Sequence, residues 1–359
     1  MVTGMSAYPP LAAAAVVQSP LSGEALAALA DVPLGHAIDL ASFFPLGREE
    51  ATDALVVETR RHLGGCLLGI ETALILATGE AGQGFSATSS PICWSMVNVR
   101  PTLISPQLLG HMRLRAGTSL ILRDNGGPDG DDSAIADDLF AREDERYAEA
   151  AALLAMAEGR WAMAGGEWQP MRADLPAEYF AELLWTAVAC LAFATGSVTE
   201  HGALERLERA GNAVLARHDE AANPLACADR LVRQMGTDAD RPELRGIALM
   251  QRRFLLFVAL TARRLNIESE RLLGLLLTGK VEEIAALCSA WGGSGDELRH
   301  LLLLLRAARP SLTDRVIVAA ADTFAQHGVA SANRDFLLQR LRTPAILRAK
   351  LALLENTAT

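Results

Sequence analysis

The sequence predicts an all-α protein on three observations. Half of its 359 residues are hydrophobic and the mean hydropathy is +0.19, so a large core is available. That apolar content is mostly Ala and Leu, with aromatics at only 5%. Ala and Leu are strong helix formers, whereas strands favour β-branched and aromatic residues. The third observation is one stretch, Met250–Ile267, MQRRFLLFVALTARRLNI. Between Arg252–Arg253 and Arg263–Arg264 every residue except Thr261 is apolar, so the segment reads as a helix buried all round with wet ends. Arg252 and Arg263 are about three helical turns apart, which sets them on one side. The architecture expected is a multi-helix bundle or irregular HEAT-like array around this helix, without substantial β-sheet.

The remaining elements follow in order. Residues 1–20 are Ala/Pro-rich and are expected to form a disordered tail. An N-terminal helical region, 21–123, opens with a short helix at Ser22–Asp31. The long pattern Arg48–Thr78 follows, its Val56, Leu63, Cys66/Leu67, Ile70, Leu74 and Ala77 stepping by three and four along one face. Gly64, Gly65 and Gly69 in its middle predict a close helix–helix approach or a bend, since each costs helix stability. Glu80–Ser95 reads as a loop, and Ser105–Pro106 as a cap opening a helix to Ile121–Arg123. Residues 124–133, DNGGPDGDDS, form an acidic Gly-rich loop.

The middle region, 134–240, has a helix over Ser133–Arg160, acidic at its start as the macrodipole favours. Trp161–Ala173 reads as an ordered loop. Asp174 is expected to cap the next helix, with Pro176 in its first turn. Helices near Glu200–His218 and Pro224–Met235 complete the region. The C-terminal region, 241–359, is expected to pack with it. Beyond the central helix, Glu268–Leu277 ends at Gly279 and Val281–Trp291 at Gly292–Gly293. Ser294–Glu297 forms a capping box before the helix to Ala308. Thr313 caps Asp314–His327, Ser331 opens Ala332–Leu341, and Thr343–Pro344 opens a last helix to about Glu355. No fixed repeat period runs through the residues.

The net charge of −10 is unevenly spread. Residues 1–240 hold 16 basic and 32 acidic residues; residues 241–359 hold 17 basic and 11 acidic. The two parts face each other or simply differ at their solvated surfaces; the sharper alternative is that the C-terminal part meets an acidic partner. Cys66, Cys93, Cys190, Cys227 and Cys288 are far apart and form no C-x-x-C, which predicts buried free thiols in a reducing compartment. Leu11–Val17 lacks the basic flank of a secretory signal. The apolar run Glu182–Thr195 falls short of the ~20 residues that cross a bilayer. Cytoplasmic residence without a membrane partner is expected.

No catalytic, cofactor-binding or metal-binding residue is assigned, and no cofactor is expected. His36, His62, His111, His201, His218, His300 and His327 include no pair at i, i+3 or i+4, so no metal-binding helix face exists. Asp129, Asp131 and Asp132 lack the spacing of an EF-hand loop and read as a solvated linker. Gly79, Gly82 and Gly84 follow a helix rather than a strand and lack a phosphate-binding lysine. Arg334, Arg340, Arg342, Arg348 and Lys350 make the last helices basic, but an overall pI near 5.3 disfavours a nucleic-acid partner. Trp161, Trp168, Trp185 and Trp291 read as packing anchors.

Three segments, Asp137–Arg160, Arg172–Leu191 and Arg245–Ile267, together resemble a bacterial family known as domain of unknown function 2336. The similarity covers about Asp39 to Leu354. It implies an all-helical cytosolic protein without an assigned reaction, and carries over no site residue. The function expected is a non-catalytic interaction or regulatory module whose groove holds another protein. The alternative is an enzyme with carboxylates meeting between helices, for which Glu58, Glu71, Glu178 and Glu182 are the candidates. A weaker alternative is nucleic-acid association through the basic C-terminal helices.

Overall fold

The computed structural model describes residues 53–79, 91–124, 145–163, 169–198 and 201–344, together with His36, Leu40, Phe43, Phe44, Leu347 and Lys350. The tail 1–20, the helix at Ser22–Asp31 and residues 125–133 of the acidic loop lie outside them, as does most of the final helix. Among the described residues the chain forms 14 α-helices and no strand.

Helix α1 (Ala54–Thr78) begins at Asp53, whose carboxylate accepts the Leu55 and Val56 amides, and ends on Gly79 at φ 74°. Its glycines do admit a close approach, but of an extended segment rather than a helix. Met171 N donates to Gly65 O at 2.8 Å, and a Cβ on Gly69 would overlap Met171 O. Helix α2 (Ile92–Val99) starts inside the stretch expected to be a loop. Its first amides, on Ile92 and Cys93, donate to the Glu71 carboxylate at 3.1 and 2.9 Å, so its cap comes from α1. Ser105 stands before α3 (Pro106–Asp124) as expected, and its Oγ accepts the Leu108 amide at 3.1 Å.

Helices α4 (Glu145–Ala162), α5 (Ala177–Ala194), α6 (His201–Leu215) and α7 (Pro224–Met235) follow. Asn223 caps α7 by accepting the Ala226 amide at 2.8 Å. Helix α5, 18 residues at a hydropathy of 1.4, is long and apolar enough to cross a membrane, longer than the run Glu182–Thr195 suggests. It buries Phe180, Leu183, Leu184, Ala187 and Leu191 and leaves Phe193 exposed.

The central stretch holds two elements. Helix α8 (Pro242–Met250) ends before a tight turn in which Arg252 has φ 56°, and α9 (Phe254–Leu265) starts after it. Arg252 thus precedes the helix and shares no face with Arg263. The burial expected of the stretch is present: every residue from Phe254 to Ala262 is buried, Phe254 and Phe257 at 0% and 1% exposure. Helices α10 (Ser269–Thr278), α11 (Val281–Trp291), α12 (Gly295–Leu305), α13 (Asp314–His327) and α14 (Ser331–Arg342) close the described fold. The Ser294–Glu297 capping box and the Thr313 cap form as expected. Ser331 is the first residue of α14 rather than its cap.

Two apolar cores result. One joins α1, α2, α5 and the first half of α3 with Leu40, Phe43 and Phe44. The other wraps α4, α7, α8 and α10 to α14 around α9, and takes Ile121 from the end of α3. Helices of the middle region are therefore shared, α4 and α7 going to one core and α5 to the other. Leu122, Trp161 and Ala162 form a small cluster of their own.

Candidate functional site

Beside that small cluster lies a buried ionic joint. Glu58 and His62 are one turn apart on α1; Arg115, Ser119 and Arg123 are spaced by four on α3, so each set shares a face. Arg115 Nε donates to His62 Nδ1 at 2.9 Å. His62 therefore carries its proton on Nε2, which lies 3.1 Å from Glu58 Oε1. Glu58 also pairs with Arg61 at 2.9 Å and with Arg123 at 2.5 Å. The Ser119 hydroxyl sits 2.9 Å from Glu58 and 2.7 Å from Trp161 O, one proton between two acceptors.

The other end of the joint is Asp174. Its Oδ1 faces Arg115 at 3.1 Å and accepts Trp161 Nε1 at 3.1 Å, and Oδ2 lies 3.4 Å from Arg160. Asp174 was expected to cap α5; it does not. The cap position is Pro176, and the Asp174 carboxylate turns inward to the guanidinium. Arg115 also donates to Arg172 O at 3.1 Å, and its guanidinium lies 5.1 Å from the Trp161 ring centre.

Electrostatics follow from burial. Loss of water pushes the His62 imidazole down to about 4, and the Arg115 charge adds to this against the pull of the Glu58 hydrogen bond. Burial alone would raise Glu58, but hydrogen bonds with His62 and Ser119 and the charge of Arg123 outweigh it and hold the carboxyl below its usual range. The joint is thus a neutral imidazole between fixed charges. Nothing in it is an exposed nucleophile or base.

A cleft of 580 Å³ adjoins the joint, between α3, α7, α9 and α10. His111 Nδ1 meets Glu270 Oε1 there at 2.9 Å, and this hydrogen bond draws the Glu270 carboxyl down. Ser269 Oγ donates to Asp229 at 2.5 Å, while burial holds the Asp229 carboxyl up. A larger groove, 910 Å³, runs between α11, α13 and α14. Its walls are Val316, Ala320, Phe324, Val329, Phe336 and Leu337, and Phe336 is 68% exposed.

The four candidate carboxylates do not converge. Glu58 lies in the joint, Glu71 caps α2, and Glu182 accepts Ser105 N and Oγ at 2.9 and 2.7 Å before α3. Glu178 is exposed. Glu71 and Glu182 thus fix helix ends in trans, a role with no local sequence signal. Of the histidines, His36 and His218 donate from Nε2 to Ile104 O and Leu175 O, and His300 bonds Asp296 O. His327 is exposed, and the side chain of His201 lies outside the described residues. Among the described residues no three potential ligands cluster to hold a metal.

All five cysteines are buried and free. Trp161 and Trp291 are buried as expected of anchors, Trp185 is 36% exposed, and Trp168 lies outside the described residues. Trp94, not singled out from sequence, is 1% exposed against Phe44. In the basic C-terminal set, Arg340 pairs with Glu283, Arg342 donates to Leu265 O and Arg334 pairs with Asp335. Lys350 is exposed; Arg348, like Asp129, Asp131, Asp132, Gly82 and Gly84, lies outside the described residues. No protein-family model, curated protein or solved structure matches the chain.

Proposed function

We propose that this protein is a non-catalytic interaction module that seats an amphipathic helix of another protein in the groove between α11, α13 and α14. The observation that carries the reading is the groove itself: an apolar channel of 910 Å³ with Phe336 standing 68% exposed at its edge. A phenylalanine left in water forgoes ~1.5–3 kcal/mol of burial. Apolar grooves between helices take the apolar face of a partner helix, with anchors at i, i+3 and i+7. The rim is of mixed sign, with Lys280, Glu282 and the Arg340–Glu283 pair, which suits a helix carrying both charges on its flanks. The kinship with domain of unknown function 2336 is part of the same reading; it rests on the three helical segments and adds no activity.

A photo-crosslinking residue placed at position 336, and in a second variant at exposed position 205 of α6, tests this in extract of the native host. One polypeptide crosslinked from position 336 and absent from position 205 is the expected result, with loss of that adduct when Phe324→Asp is added. Equal adducts from both positions overturn the reading, as does an adduct consisting only of a second copy of the chain.

A further inference from the structure

A third cleft, of 640 Å³, lies between the C-terminal half of α1, residues 171–173, the start of α5 and the end of α6. Clefts of about 300–1,000 Å³ hold small organic molecules. One part of its wall is apolar, with Ile70, Ala73, Phe180 and Val214, and Leu76 standing 65% exposed. The rest is cationic. Arg172 and Arg217 both line the cleft and both are exposed. Among the described residues neither guanidinium has an ion pair or a hydrogen bond. The one carboxylate of the lining, Asp219, accepts the Ala221 amide at 3.1 Å. At the other two clefts arginines are engaged: Arg115 and Arg263 pair with Asp174 and Asp240, and Arg340 with Glu283.

The backbone that carries the two arginines is fixed. Met171 N donates to Gly65 O at 2.8 Å, and Arg172 O accepts Arg115 Nη2 at 3.1 Å, so the buried joint holds the Arg172 main chain. Beyond α6, Arg217 N donates to Val214 O at 3.2 Å. Beside it the His218 ring stacks on Phe180 with centres 3.7 Å apart and donates from Nε2 to Leu175 O at 2.8 Å. Two guanidiniums thus stand on pinned segments next to an apolar wall, with no anion of their own, and pinned segments lower the ordering cost of binding. We propose that this cleft binds an amphipathic organic anion: an apolar body ending in a carboxylate. The head pairs with Arg172 and Arg217, because the planar fork of a guanidinium matches a carboxylate. The body lies along Ile70, Ala73, Leu76 and Val214 and takes Leu76 out of water, a gain no inorganic anion offers. The site is separate from the groove between α11, α13 and α14 and does not depend on it.

The test titrates the full chain with sodium decanoate, below the concentration at which it forms micelles, in a calorimeter. Saturable binding is expected, with decanol and decylammonium about tenfold weaker because neither brings an anion to the guanidiniums. Arg172→Gln and Arg217→Gln should each weaken decanoate about tenfold, and the double variant further. Arg299→Gln, at an exposed position of α12, should leave binding unchanged. A diazirine-bearing fatty acid photolysed with wild-type protein is a second measurement that needs no variant, and its label should fall on residues 69–77 and 213–219. The proposal is overturned if decanol binds as tightly as decanoate or if the double variant keeps wild-type affinity. It is overturned equally if the label falls elsewhere, or if decanoate gives neither heat nor label.

Discussion

Phe254–Ala262 on α9 and the joint from Glu58 through His62 and Arg115 to Asp174 are equally hidden from water, yet they demand opposite things of their surroundings. The first needs only bulk: any helix that covers it stabilises it, because apolar burial is non-directional. The second needs four named partners at hydrogen-bond distance, because a buried charge without one costs several kcal/mol. Apolar burial therefore tolerates many neighbours, while the joint fixes how α1, α3, α4 and the chain before α5 meet.

The sharpest way to break that contrast is Arg115→Ala. It leaves Asp174 only Trp161 Nε1 and the longer Arg160 contact and removes the donor to His62, and it is expected to cost ~3–5 kcal/mol in urea unfolding, little changed by 1 M salt because the pair is buried. A loss below ~1 kcal/mol would mean the joint is solvated. Next comes Phe257→Ala on α9, expected to cost ~4 kcal/mol through the cavity it leaves beside Trp291, whose ring centre lies 5.5 Å away. Phe257→Leu should restore much of this, as no swap can for Arg115.

Titration separates the regions further. His62 is held down at about 4 in the fold against 6.5 unfolded, so its contribution is complete above pH 6.5 and is lost as pH falls through 4. That gap corresponds to on the order of 3 kcal/mol. Glu158 on α4 has the opposite sign: burial pushes it up to about 7 from 4.5, so its contribution is complete below pH 4.5 and is lost as pH rises through 7. The two oppose each other between pH 4.5 and 6.5. Wild-type stability should be nearly flat there, and Glu158→Gln should expose a fall on acidification, read by denaturant midpoints at each pH.

Smallest are two glycines. Gly69→Ala would drive a Cβ into Met171 O and is expected to destabilise by ~1–3 kcal/mol despite the better helix propensity. Gly110→Ala on α3 meets nothing within 4 Å and is expected to gain up to ~1 kcal/mol. Thermal melts of the pair should move in opposite directions.

The same contrast explains what could be read from the residues. The all-α class, the dry interior of α9 and the caps at Ser294 and Thr313 were legible because each is a local pattern of neighbours or of helical period. Asp174 was misread because D-L-P looks like a cap, while Arg115, its true partner, is far off in the chain. Helix α2 was hidden because Glu71 supplies its cap from another helix. The turn at Arg252 carried no glycine or asparagine to announce its positive φ. From sequence the candidate carboxylates are groups that could meet between helices. Glu178 is instead exposed, and Glu58, Glu71 and Glu182 bond separate partners that are distant in the chain and leave no local signal.

Helix α3 gives Leu108, Leu109 and Met112 to one core and Ile121 to the other, with the joint strung between them. Loosening either core therefore withdraws support from a rod the other depends on. Unfolding should pass through a single cooperative transition, and the amides of α3 should be the last to exchange with deuterium.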